Sequence, residues 1–255
     1  MSWLNFLFGK PKETPTPDHR TDARLRQEAA WQRLLDTCPF PLAQVPAAQA
    51  AAAWLEARAA GTAAGSCPLI LTVRTPDLGA VKEAAAIARI DIPEPDEIVQ
   101  ILAEKAGHDA DSALPPPLGE IAERPAPEAP PRLELASLSL PLGRSRAFPQ
   151  AAIARIPVSE SWQIPLILDF GGWNAAPEPA EMAAFARRWK ALYGAEIACI
   201  SEDSLEFAVE RPPSSFEDAK RLAFEHTLFC QEDLGDMDDY VASLRTARSW
   251  FFWWD

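Results

Sequence analysis

The chain has 255 residues, 24 Lys and Arg against 37 Asp and Glu, and a formal net charge of -13. That length is enough to bury a core, as one large domain or two small ones. The charge excludes a phosphate-binding surface, which needs clustered cations, so no nucleic-acid partner is expected.

Residues 1–19 open on Trp3, Leu4, Asn5, Phe6, Leu7 and Phe8. The stretch is too short for a membrane span and lacks the basic lead of a signal peptide. As a helix it would place Trp3, Leu4, Leu7 and Phe8 on one face, followed by Lys10 and Lys12. That pattern suits a weak peripheral membrane contact or a docking peptide, tethered by Thr14-Pro15-Thr16-Pro17. Residues 20–110 read as a smaller helical α/β subdomain. Helices are predicted over 21–36 (Leu25, Trp31, Leu34, Leu35), 46–60 (Trp54, Leu55, with Gly61 as the stop), 77–87 and 95–105. The apolar run 68–73 reads as a buried strand.

Seven prolines lie between residues 111 and 131. They exclude a helix or a central strand, so 111–132 is expected to be a stiff linker. Within residues 133–255, strands are predicted at 153–158 and 165–170. A helix follows at 177–193, where Met182, Phe185, Trp189 and Leu192 recur at helical steps and Gly194 supplies the cap. Residues 196–200 and 205–209 form a hairpin, and Ser214-Ser-Phe-Glu217 reads as a capping box for a helix ending near Cys230. A shorter helix is predicted over 236–247 before the terminal Trp250-Phe-Phe-Trp-Trp-Asp255. The predicted fold class is α+β, with a mostly antiparallel or mixed sheet flanked by helices.

Several of these residues together make a specific combination. They are Ser161-Trp162 with Pro165, Phe170-Gly171-Gly172-Trp173-Asn174 with Pro177, Trp189, Tyr193-Gly194-Ala195-Glu196, Arg211-Pro212-Pro213, Cys230 and the terminal Trp250–Asp255 segment. In these, the chain resembles the bacterial domain-of-unknown-function family numbered four-two-five-three, over about residues 150–255. The resemblance implies a bacterial, cytoplasmic protein and brings no activity with it. It marks Trp162, Trp189, Glu196, Trp250, Phe252 and Trp254 as a structural signature. Cys38, Cys67, Cys199 and Cys230 are widely spaced, as four thiols in a reducing compartment would be.

Candidate sites divide between chemistry and packing. In the terminal segment Trp250, Phe252 and Trp254 alternate with Phe251 and Trp253. A strand apolar on both faces is expected inside a sheet covered on both sides. Gly171, Gly172, Trp173 and Asn174 join two predicted elements and are the candidate ligand loop, though Glu178 and Glu181 just beyond would repel an anion. His226 and Cys230 share a helical face and are read as buried structural residues. The acidic residues Glu232, Asp233, Asp236, Asp238 and Asp239 match no calcium-loop spacing. Asp169, Glu196 and Asp255 would make a carboxylate set only if the fold gathered them. No catalytic residue, metal or cofactor is assigned.

Residues 151–255 carry nine basic and 18 acidic side chains, a net -9. The expected function is a non-catalytic protein-interaction module, immunity-like in binding a partner with a basic surface. The alternatives are a small-ligand binder or hydrolase at Gly171–Asn174, and membrane attachment through Trp3–Phe8.

Overall fold

Strands Leu42–Pro46 (β1), Cys67–Leu71 (β2), Gln150–Ile156 (β3), Glu196–Ile200 (β4), Ser204–Ala208 (β5) and Ser249–Trp253 (β6) form one mixed sheet. Its order is β1-β3-β2-β4-β5-β6, with every neighbouring pair antiparallel except β2 and β4. The computed structural model describes residues 17–61, 65–78, 81–108, 120–139, 147–231 and 233–254. The fold is α+β, with helices flanking the sheet.

Alternation along the strands sorts side chains onto two faces. Leu69, Leu71, Ala154, Leu205, Phe207 and Phe252 point into the larger core. That core is built with helices Pro17–Thr37 (α1), Ala50–Gly61 (α2, on the opposite face), Ala84–Ile87 (α3), Glu97–His108 (α4), Ile164–Leu168 (α5), Pro179–Tyr193 (α6), Phe216–Cys230 (α7) and Met237–Leu244 (α8), all but α2 contributing to it. On the opposite face Ile70, Ile153, Ala198 and Cys199 meet Ala50 and Trp54 of α2, with Leu135 beside them. The Trp54 indole N–H donates to Pro68 O at 2.9 Å and anchors the helix to β2.

The sheet interleaves the two halves of the chain. Strand β3, from the predicted 133–255 domain, lies between β1 and β2 of the predicted 20–110 subdomain. Of the predicted 111–132 linker, the described residues 120–132 run as a strap along α8. Ile121 is buried, Ala122 N donates to Asp238 Oδ1 at 2.9 Å, and Arg124 pairs with Asp238 at 3.1 Å. The strap then crosses to the α2 face, where Leu133 and Leu135 pack.

Three local expectations need correction. The predicted strand at 165–170 is instead helix α5 and its cap. Pro165 pre-sets the first helical turn, Asp169 closes it in the left-handed region (φ 51°), and Phe170 N bonds Pro165 O. A short apolar run buried on all sides carries no period to separate the two states. The 77–87 helix shrinks to α3, because Lys82 N is drawn away to Ile167 O at 2.9 Å. The cap of α7 is Ser215, which accepts from Asp218 N at 3.1 Å, one position beyond the capping-box reading. By contrast α6 has a complete capping box between Glu178 and Glu181 and ends at Gly194 with φ 62°. Among the described residues no helix is long and apolar enough to cross a membrane.

Candidate functional site

The carboxyl-terminal segment carries three of the six signature residues. Trp250, Phe252 and Trp254 are buried, while Phe251 and Trp253 are 36% and 40% exposed. The expectation of a strand covered on both faces is therefore corrected. β6 is an edge strand, and α2 packs on the second face chiefly over β1, β2 and β3. On the inner side Trp189 is the hub. It stacks on Phe252 (5.6 Å, 14°) and meets Trp250, Phe207, Phe229 and His226 edge-on at 4.9–5.6 Å. Its indole N–H donates to Glu225 Oε2 at 2.8 Å, and the Arg188 fork closes on Glu225 Oε1 at 2.9 and 3.0 Å. Glu196 ties the halves of the chain together, accepting Arg58 of α2 at 2.9 Å and lying 3.5 Å from Lys190 of α6. Trp162 lies under the Arg187 guanidinium, 6.0 Å away.

The loop Gly171–Asn174 is closed on itself. Gly171 (φ 128°) has no room for a Cβ, which would sit 2.4 Å from Pro177 O. Gly172 (φ 77°) lies under the Glu178 carboxylate, and its N–H bonds Pro177 O at 2.9 Å. Trp173 is half-buried, edge-on to Phe170 at 4.6 Å and to Trp254 at 6.4 Å. The glycines thus serve a tight turn that tucks one tryptophan against another, and the acid that fills the turn also caps α6.

Among the described residues, the remaining candidates do not converge. His226 is wholly buried with Nδ1 2.8 Å from the Tyr240 hydroxyl, and burial lowers its pKa to about 3. Cys230 donates its thiol to Trp253 O at 3.4 Å. In the acidic segment Asp233 accepts from Gly235 N, Asp236 caps α8, and Asp238 holds the strap. Among the described residues no three His, Cys, Asp or Glu side chains gather as metal ligands would. Asp169 pairs with Lys82 and Glu196 with Arg58, while Asp255, Glu232 and the side chains of His19 and His108 lie outside the described residues. So does the apolar Trp3–Phe8 segment.

Two features of the α2 face had no signal in the sequence. Glu206, fully buried between β4 and β6, accepts Ala136 N at 2.5 Å and Ser137 N at 3.1 Å. Burial raises its pKa, and those backbone donors work against the rise. A cleft of ≈ 290 Å³ also opens between α2, the strap and β5. Its walls are Trp54, Leu55, Leu133, Ala208 and Val209, and Arg58, Arg132, Arg248 and Glu210 also line it. These residues come from four separated stretches of sequence, which no motif or spacing connects.

Fold and surface define an α+β protein whose carboxyl-terminal aromatics split between a closed core and an open edge. Residues 152–255 match the model of the family described as Domain of unknown function (DUF4253), in agreement with the signature residues. No curated protein and no solved structure matches the chain.

Proposed function

We propose that the protein is a non-catalytic interaction module that holds a partner with a basic surface through Phe251 and Trp253. The observation that carries this reading is the pair of large aromatics exposed two residues apart on an edge strand. Exposed apolar patches on a soluble surface mark contact sites, and aromatics dominate contact energies. The contact is made by side chains. Strand addition along β6 is opposed at both ends, because Ser249 bonds the strap at Glu134 O and Trp253 O accepts the Cys230 thiol. Trp253 Nε1 donates to Asp203, and the -9 balance of residues 151–255 favours a cationic partner. Against a hydrolytic reading stand the burial of His226 and Cys230 and the filled turn at Gly172.

The test places a photo-crosslinking residue at 251 and, as control, at the exposed Leu192 of α6, in cells that make the protein. The reading expects one adduct from position 251, with a basic protein, weakened by salt and lost with Trp253→Ser. Equal adducts from both positions, or an acidic adduct protein, would overturn it.

A further inference from the structure

We propose that the cleft between α2, the strap and β5 binds a small carboxylate, one negative charge on a compact apolar body. This stands apart from the protein contact at Phe251 and Trp253. The cavity, ≈ 290 Å³, is at the small end of the range for small-molecule sites. Trp54, Leu55, Leu133, Ala208 and Val209 give it an apolar interior.

Charge sets the ligand's polar end. In a chain with 13 more acids than bases, three arginines line this one cleft. Two are committed: Arg58 to Glu196 at 2.9 Å and more loosely to Glu210 at 3.3 Å, and Arg132 to Glu134 at 3.3 Å. The third, Arg248, is exposed and has no ion pair among the described residues. Its own carbonyl accepts Val209 N at 2.9 Å, which fixes its backbone beside the cleft. One uncommitted guanidinium matches one carboxylate, whose two oxygens fit its planar fork. A phosphate dianion would bring a second charge toward Glu210 and Glu134 with no further cation to meet it. The carboxylate can belong to a free acid or to the end of a peptide, since the recognising chemistry is the same.

The test titrates the full chain by calorimetry with 4-phenylbutyrate, its neutral amide, phenyl phosphate, and a tetrapeptide ending in leucine as free acid and as amide. We expect a carboxylate to bind and its amide to bind at least about tenfold more weakly. Arg248→Gln is expected to cost the acid at least about tenfold with the melting temperature unchanged, and Leu133→Trp to weaken it by filling the cleft. Glu210→Gln is expected to tighten it by removing a like-charged carboxylate from the cleft lining. Tighter binding of the peptide acid identifies a chain terminus as the source, and tighter binding of 4-phenylbutyrate identifies a free acid. Indistinguishable acid and amide, undiminished binding to Arg248→Gln, phosphate preferred over carboxylate, or no carboxylate binding up to about 10 mM would overturn the proposal.

Discussion

The indole nitrogen of Trp189 lies 2.8 Å from Glu225 Oε2, so the centre of the aromatic core is fastened to a buried carboxylate. The same carboxylate neutralises Arg188, which also reaches Asp96 at 2.7 Å from the α4 side. Removing Glu225 would leave an indole N–H and a partly buried cation without their shared partner. Glu225→Ala should destabilise the protein by about 3 kcal/mol in denaturant unfolding. Glu225→Gln, which keeps an acceptor for Trp189, should cost less. Equal losses would mean that the charge and the acceptor are not separable contributions.

His226 makes a prediction about acid. Its pKa is lowered to about 3 in the folded protein, from 6.5, by burial. The unfolded chain therefore takes up the proton first. Stability is complete above about pH 6.5 and falls by about 1.4 kcal/mol per pH unit as pH drops toward 3. In His226→Gln this contribution disappears, so between pH 6 and 4 its stability should decline more shallowly than the wild type's. Parallel profiles would contradict the burial of a neutral imidazole.

The glycines differ in what they permit. Gly171→Ala meets both a forbidden φ and a backbone oxygen 2.4 Å from the new Cβ, and should cost more than about 3 kcal/mol. Gly235 has a positive φ but open space, so Gly235→Ala should cost about 1–2 kcal/mol. Thermal unfolding of the two variants checks the order.

The last six residues divide by face. Deleting 250–255 removes Trp250, Phe252 and Trp254 from around Trp189 and Phe229, and should abolish cooperative unfolding. Phe251→Ser, on the exposed face, should change stability by less than about 1 kcal/mol. A soluble truncation that still melts sharply would refute the division.

Local signals made much of the fold legible. The three- and four-residue steps through Met182, Phe185 and Trp189 and the left-handed Gly194 are encoded within one helix length, and α6 follows them closely, with Leu192 left exposed. The alternation of Trp250, Phe252 and Trp254 with Phe251 and Trp253 likewise gave the two sets of side chains that β6 turns to opposite faces. Helix α5 was hidden because Ile164 to Ile167 are all buried, which erases any periodicity. The open side of β6 was hidden because hydrophobicity reports a residue's preference and says nothing of how far a covering layer extends. The cleft escaped because Arg58, Leu133, Val209 and Arg248 meet only in space. Glu206 sits in a strand surrounded by apolar residues, and no rule of pattern distinguishes a buried capping carboxylate from a solvated one.

The interleaved sheet has a consequence in time. Arg74, just past β2, pairs with Asp203, just past β4, across 129 positions of sequence. During synthesis at about 5–20 residues per second, β2 waits on the order of ten seconds for that neighbour. Its other neighbour, β3, also lies beyond the proline-rich stretch. Leu69, Ile70 and Leu71, which are wholly buried in the finished protein, have both strand edges open until β3 follows and one edge open until β4 does. The newborn amino-terminal half is thus the most aggregation-prone form of this chain, and chaperone demand should be highest before residue 200 emerges.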